Sequence, residues 1–330
     1  MTIRRRQWLA LHLQFAAALA AGAHWPLAQA EEAGPVRLLV GYPPGGGTDA
    51  LARLLAQHLS QELGVTIVVD NRPGAAGQIA AQALKTSSPD GRTLLLSHDH
   101  TISILPQVLR RPGFDAHTDF QPVAGIATFV NCVAVASSHP AHTWQQFVEW
   151  LHEQDKPSML AFGVPVPAST PEFLVHRLAQ KYEKNLMAVP YRGSAPMLTD
   201  LLNGQLQVGI AAIQDFMELH QAGKVRILGV LGSQRQSALP TIPTLAEMGI
   251  EGFESVPFYG LYAPSGIDMQ WVQRWEKAVQ KVLQKPGVHQ KIHDWAMTAC
   301  YMDHSELDSR ERMHSQVWSR IIHDNGFAPR

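Results

Sequence analysis

The sequence predicts an α/β protein, and three observations carry that reading. Short apolar runs of strand length recur along the chain, with helix-periodic segments between them. A glycine-rich stretch, Gly41-Tyr42-Pro43-Pro44-Gly45-Gly46-Gly47-Thr48-Asp49, joins one such run to a helical one. With 330 residues, 45% of them hydrophobic and 17% charged, the chain is long enough for two domains with ordinary cores. Strands that alternate with helices imply mostly parallel sheets covered on both faces.

In chain order, Arg4-Arg5-Arg6 precede an Ala/Leu-rich segment that ends in Ala28-Gln29-Ala30. A basic start, a short apolar middle and an A-x-A site make a secretory signal peptide, residues 1–30, cut after Ala30. Arg5-Arg6-Gln7-Trp8-Leu9 also resembles a twin-arginine signal, so export by the Sec or the twin-arginine route is open. His12, Gln14 and His24 interrupt the apolar segment, which disfavours a permanent membrane anchor, and no cysteine near the cut offers a lipid anchor.

The first strand-like run, Val36 to Val40, feeds the glycine turn and then a helix from Ala50 to Gln61. Further strand-length runs follow at Thr66–Val69, Thr93–Leu96, Asn131–Ala136, Met159–Phe162, Leu186–Val189, Val208–Ala211 and Arg226–Val230. Asn71-Arg72-Pro73-Gly74 and Ser88-Pro89-Asp90-Gly91 read as turns, and Ala222-Gly223 closes the helix before the last of these runs. From Asp268 to Lys285 and from Ser305 to Asn325, apolar residues recur at helical spacing (Trp271, Trp275, Val279, Val282; Met313, Val317, Ile321), which predicts two amphipathic helices.

Composition removes several function classes. The 27 basic and 28 acidic residues leave no clustered basic face for nucleic acid. No G-x-S-x-G, H-E-x-x-H, P-loop lysine or G-x-G-x-x-G occurs, so no catalytic residue is assigned and an enzyme is the weaker class. Cys132 and Cys300 lie in apolar surroundings and read as separate buried thiols rather than a metal motif or a bridge.

The glycine turn is the candidate site. A strand end that meets a helix N-terminus presents unpaired backbone N–H groups and the positive end of the helix dipole, which together suit a small anion. Gly45, Gly46 and Gly47 permit close backbone approach, while Thr48 or Asp49 caps the helix. Asp49 would repel a carboxylate, so its expected part is to cap or order the loop.

Seven segments in this order, VRLLVGYPPGGGTDALARLLAQHL, VVDNRPGAAG, SPDGRTLLL, VPYRGSAPMLTDLLNGQLQVG, AGKVRILGV, ALPTIPTLAEMGIEGFE and FYGLYAP, resemble the solute-binding proteins of the tripartite tricarboxylate transporter, the Bug family. The resemblance spans nearly the whole chain after Ala30. It implies a periplasmic, two-lobed Venus-flytrap fold whose chain crosses between lobes near Asn131 to Ser137 and near Ser255 to Tyr259. Lobe 1 would comprise residues 31–133 and 258–330, and lobe 2 residues 134–257. It further implies a monomer without a cofactor or metal that holds a small carboxylate, amino acid or amide between the lobes and delivers it to membrane permease subunits. A binding protein that serves a membrane sensor kinase has the same lobes, and sequence alone does not separate the two.

The ligand-facing residues that the resemblance implies are Tyr42, Gly45, Gly46, Gly47, Thr48, Asp49, His98, Asp99, Thr101, Phe162, Ser169, Thr170, Tyr191, Ala211 and Phe258. Three places depart from the family pattern. Phe162-Gly163-Val164-Pro165-Val166-Pro167-Ala168-Ser169-Thr170-Pro171-Glu172 is proline- and valine-rich where glycine, serine and a histidine are usual, so Pro165 and Pro167 remove two N–H donors. In that stretch Ser169 and Thr170 keep hydroxyls that donate to a ligand or cap the helix from Pro171.

The second departure is Ser97-His98-Asp99-His100-Thr101, where imidazoles would make binding pH-dependent. On a strand His98 and His100 share a face and Asp99 does not, which disfavours a chelating trio. The third is Ala211, which stands where relatives with amino-acid ligands often have an aspartate, and a primary amine is disfavoured unless Asp215 reaches in. Phe258 and Tyr259 offer aromatic surface at the second crossing.

Overall fold

The computed structural model describes residues 34–154, 159–324, 327 and 329. The leader and its cut after Ala30 lie outside the described residues. Among these residues no helix is long and apolar enough to cross a membrane.

Two sheets organise the chain. The first contains β1 (Val36–Val40), β2 (Ile67–Asn71), β3 (Thr93–His98), β4 (Phe120–Thr128), β10 (Phe258–Pro264) and β11 (Thr298–Met302), in the order β11-β4-β10-β3-β1-β2. The second contains β5 (Asn131–Ala136), β6 (Leu160–Val164), β7 (Leu186–Pro190), β8 (Val208–Ala212) and β9 (Val225–Val230), in the order β7-β6-β8-β5-β9. The chain passes from the first sheet to the second between Thr128 and Asn131, and returns between Val230 and Phe258.

The helices that cover the sheets are α1 (Gly47–Leu63), α2 (Gln78–Lys85), α3 (Trp144–Glu153), α4 (Thr170–Tyr182), α5 (Ser194–Leu202), α6 (Ile213–Gln221), α7 (Met269–Leu283), α8 (Pro286–Asp294) and α9 (His304–Asp324). Leu38 and Val40 of β1 enter one apolar cluster and Leu39 enters another on the opposite face. In β5, Val133 and Val135 likewise face one cluster while Cys132 and Ala134 face a second. Both sheets are therefore buried on both faces, as the period of two in a strand requires. Helix ends follow local chemistry: Gly64 closes α1 in the left-handed region at φ 69°, and the Asp268 side chain accepts from Gln270 N at the start of α7.

Sequence patterning locates eight strands and overlooks β4, β10 and β11. Pro122 and Gly125 lie inside β4, whose pairing with β10 shifts register twice, so the strand carries bulges that break a clean alternation. These strands also correct the expectation of mostly parallel sheets, for both sheets are mixed. β10 runs antiparallel to β3 and β4, and β5 runs antiparallel to β8 and β9. Cys132 and Cys300 are free, in strands of different sheets.

Candidate ligand-binding cleft

The loops that follow β1, β3, β6 and β8 converge on one cavity between the two sheets, of about 650 Å³ including its mouth. Ligands of α/β proteins commonly sit beyond the carboxyl ends of strands. Its walls are Tyr42, Pro43 and Gly46–Thr48 after β1, His98–His100 at the end of β3, Phe129 and Asn131 at the first crossing, Pro165, Val166 and Ser169–Pro171 after β6, Ser194 and Ala195, Ala212 and Asp215, and Tyr259.

At the glycine turn, α1 begins at Gly47 rather than Ala50, with Gly46 at the N-cap and no side-chain cap. Two amides of the turn are held by the protein's own carboxylates, while those of Gly46 and Thr48 have no partner among the described residues. Gly45 N donates to Asp49 Oδ2 at 3.0 Å and Gly47 N donates to Asp215 Oδ1 at 2.8 Å. Asp49 does not face the cavity; it also accepts from Arg53 Nε at 2.9 Å and Asn71 Nδ2 at 2.9 Å, and so orders the loop. Burial would raise the Asp49 pKa, but the Arg53, Gly45 and Asn71 donors outweigh it and hold the carboxyl below its ordinary value.

The bond from Gly47 to Asp215 joins the first sheet's side of the cavity to the second's directly, and a second tie reinforces it. Tyr259 OH lies 3.2 Å from Thr48 Oγ1 and accepts from Gln214 Nε2 at 2.8 Å. The contact is tight: a Cβ on Gly47 would stand 2.4 Å from Gln214 Cγ, and one on Gly46 would stand 3.1 Å from Ser194 Oγ. Asp215 also hydrogen-bonds Ser194, yet loss of hydration dominates and raises its pKa above the ordinary carboxylate value.

After β6 the chain turns into α4 with Ser169 at the N-cap. Its hydroxyl donates to Val166 O at 2.8 Å and makes no cap, while the carboxylate of Glu172 accepts from Ala168 N. The N–H groups of Ser169 and Thr170 have no partner among the described residues, and both residues wall the cavity. Facing the same space is His100, 4% exposed, with both ring nitrogens buried and without a hydrogen-bond partner among the described residues. Burial and the neighbouring His98 depress its pKa to about 3, so the ring is neutral and offers one N–H donor and one acceptor.

The β3 end departs from strand geometry sooner than its sequence suggests. Asp99 has helical dihedrals (φ −45°, ψ −40°) and opens a π-turn over His100–Ile104, so alternation fails and His98, Asp99 and His100 all reach the cavity. His98 stacks on Tyr42 at 4.9 Å and meets Phe129 and Tyr259 edge-on at 6.0 and 5.6 Å, which makes an aromatic wall. Asp99 Oδ2 lies 3.0 Å from His314 Nε2, and His314 Nδ1 lies 2.8 Å from Ser255 Oγ. This buried chain links the cavity wall to α9 and to the returning crossing. Burial opposes the Asp99 charge, but the bonds from His314 and His98 prevail and hold it well below the usual carboxylate range.

Of the residues that the resemblance implies, Tyr42, Gly46, Gly47, Thr48, His98, Asp99, Ser169 and Thr170 come together around the cavity. The others stand behind it. Gly45 and Asp49 brace the turn, and Thr101 bonds Tyr42 OH and Ala76 O, both at 3.0 Å. Tyr191 donates to Asp200 at 2.8 Å; Phe162, Ala211 and Phe258 lie in the cores. Phe258 belongs to the core because adjacent strand residues alternate, which leaves Tyr259 as the one that faces the cleft. His100, Phe129, Asn131, Ser194 and Asp215 complete the walls. Asp215 is legible in the sequence as an acid in the first turn of the helix after β8; Phe129 and Asn131 give no signal beyond their place at the crossing.

The sequence matches the family described as the tripartite tricarboxylate transporter family receptor, TctC, over residues 51–327. It is 30% identical to the UPF0065 protein in the gbd 5' region of Cupriavidus necator, over 82% of this chain and 80% of that one. The structure is similar to that of Rpa4515 from R. palustris with adipate, with a TM-score of 0.84 and 30% identity over 90% of this chain and 98% of that one. It is also similar to the periplasmic binding protein BugD, with a TM-score of 0.82 and 25% identity over 89% and 98% of the two chains.

Proposed function

The chain belongs to the tripartite tricarboxylate transporter receptor family, and from that premise we propose that it captures one small carboxylate-type metabolite in the cleft and hands it to a tripartite-type membrane permease. The family is one of solute-binding receptors and not of enzymes. The single observation that carries the reading is the cavity itself: it is shared by both sheets, walled by the starts of α1 and α4, and holds a buried histidine whose ring nitrogens have no hydrogen-bond partner among the described residues. A neighbour of the same fold was solved with adipate.

In this proposal the leader is removed after Ala30 on export to the periplasm, and residues 31–133 with 258–330 form one lobe while residues 134–257 form the other. The two crossings act as hinges, so an open form admits the ligand and closure completes its contacts. The ligand shifts that balance only through contacts made in one state and not in the other. A charge-assisted hydrogen bond contributes about 1.5–3 kcal/mol net, so three or four of them, less ordering costs, reach the roughly 8 kcal/mol of a micromolar complex. The anion is expected at the start of α4, where the Ser169 and Thr170 amides and the His100 ring nitrogens have no hydrogen-bond partner among the described residues.

The test is a thermal-shift panel of small carboxylates, amino acids and amides. A ligand present at about 100 times its Kd adds about 2.7 kcal/mol and raises Tm by several degrees. A flat response across every member would overturn the receptor reading.

A further inference from the structure

At both crossings the chain changes its attachment from one sheet to the other over very few residues. Phe129 packs in a core of the first sheet, and its N–H donates to Pro257 O at 3.1 Å. Val130, the next residue, packs in a core of the second sheet, and its carbonyl accepts from Ile213 N at 2.9 Å. On the return, Leu245 and Ile250 lie in a core of the second sheet, where Ile250 N donates to Leu245 O at 2.9 Å. Ser255 and Val256 are held instead by α9: Ser255 Oγ lies 2.8 Å from His314 Nδ1, and Val256 O accepts from Arg310 Nη2 at 2.6 Å. Leu307 and Ile322 seat α9 in a core of the first sheet with Leu39 and Leu95. On its other side Trp318 meets Phe173 of α4 at 5.5 Å, so the two sides of the cavity rest on the same helix.

Glu251–Glu254 lie between these two attachments. Gly252 N donates to Glu254 Oε1 at 2.8 Å, a bond that stays within the segment. Gly252 is exposed, has a φ of 96°, and offers open space to an added Cβ. Its backbone occupies a region that glycine tolerates and other residues avoid, and no packing fixes it there. Phe253 beside it touches cores of both sheets.

Resting on the receptor reading above, we propose that Gly252 is the pivot of the second crossing and α9 its fixed arm: the lobes open by rotation about the Gly252 backbone, while Ser255–Pro257 stay on α9 and move with the first sheet's side. Hinges are a few loop residues that absorb a change of φ and ψ, and Phe129–Val130 is the counterpart in the first crossing. Both turning points lie a few residues ahead of the lobe boundaries that the resemblance implies. The same arm reaches the cavity, because His314 Nε2 lies 3.0 Å from Asp99 Oδ2 and Asp99 walls the cleft. Gly252 is not among the cleft's walls, yet it regulates capture: strain at the pivot changes affinity when it differs between the open and closed forms, and strain that is equal in both cancels.

The experiment compares Gly252→Ala with Gly223→Ala. Both glycines are exposed with positive φ, 96° and 68°, and an added Cβ meets nothing at either. Gly223 follows α6 on the second sheet's side and does not turn on opening. Affinity is measured by calorimetry for adipate, or for the tightest binder of the carboxylate panel where the wild type does not take adipate. The interlobe distance of the ligand-free protein is measured between spin labels on exposed positions of α1 and α3, in a Cys300→Ser background. Opening releases the strain of alanine at positive φ, so Gly252→Ala is expected to bind about 5-fold more weakly or, where the free wild type is already closed, to raise its open fraction by that factor. Gly223→Ala is expected to match the wild type in both readouts. A Gly252→Ala protein that matches Gly223→Ala in both would overturn the proposal and leave the receptor reading in place. A panel in which no member binds the wild type would instead remove the receptor reading, and this proposal with it. A further label pair, on Glu254 and an exposed position of α9, tests the arm: its distance is expected to stay constant across free, loaded and variant proteins, and a distance that changes together with the α1–α3 distance would overturn it.

Discussion

Two turns in this protein have the same topology and different partners. Both lead from a strand of one sheet into the N-terminus of a long helix, β1 into α1 and β6 into α4, and both face the same cavity. The glycine-rich turn has the composition of an anion cradle, yet Asp49 and Asp215 have taken the Gly45 and Gly47 amides. The proline-rich turn has fewer donors to offer, yet those of Ser169 and Thr170 are free of partners among the described residues and a neutral histidine stands opposite. Composition describes what a turn could bind; what it is left to bind depends on which carboxylates the rest of the chain delivers to it.

The contrast breaks most directly at Gly47. A β-branched side chain there would overlap Gln214 and push against Asp215, so Gly47→Val is expected to hold the two sides of the cavity apart. Overpacking of this kind costs about 1–3 kcal/mol, or about 5- to 150-fold in ligand affinity, with little change in Tm because the site lies outside both cores. Retained affinity in calorimetry would show that closure does not bring these surfaces together.

The next largest effect is expected at His100. His100→Leu removes the unpartnered ring and should weaken carboxylate binding by about 10-fold, the worth of one lost donor. It should leave stability equal or slightly higher, since an unsatisfied buried polar group is replaced by an apolar one. Equal affinities for the two proteins would move the anion away from the proline-rich turn.

Asp99 sharpens the contrast from behind the cavity wall. Asp99→Asn is expected to cost about 1–3 kcal/mol in urea unfolding at neutral pH, because His314 and His98 lose a buried charged partner. The folded-state pKa of Asp99 lies below its ordinary value, so this contribution is present above about pH 4 and is lost as pH falls further. The stability gap between wild type and variant should therefore close in acid. A gap that stays constant would mean that Asp99 acts through shape and not through charge.

The smallest effect lies away from the cleft, at Glu311. Burial raises its pKa to about 7, so the folded state holds its proton more tightly than the unfolded state does. Stability from this group falls as pH rises from about 4.5 to about 7, and Glu311→Gln should gain about 1 kcal/mol over wild type at pH 8 relative to pH 5. Parallel pH profiles of Tm would contradict that.

Much of the architecture is legible because apolar runs such as Val36–Val40 and Asn131–Ala136 are buried on both faces, and that pattern needs no tertiary knowledge. β4 is not, since Pro122 and Gly125 imitate a loop and only its partner β10 holds it in the sheet. In the cleft, the glycine turn and the Ser169–Thr170 turn are readable from composition. That Asp215 crosses to Gly47 and that His314 binds Asp99 depend on pairings 168 and 215 positions apart, and that Tyr259 rather than Phe258 faces inward depends on strand phase. Local sequence carries no record of such pairings. The strand-alternation reading of His98, Asp99 and His100 fails for a local reason, the early turn out of β3.

The most direct measurement is a crystal structure with the strongest carboxylate from the panel bound at saturation. One molecule is expected between the two sheets, with its carboxylate against the Ser169 and Thr170 amides and His100, and with Asp215 still on Gly47. A carboxylate seated on the Gly46–Thr48 turn with Asp215 swung away, or a ligand outside the cleft, would contradict the assignment.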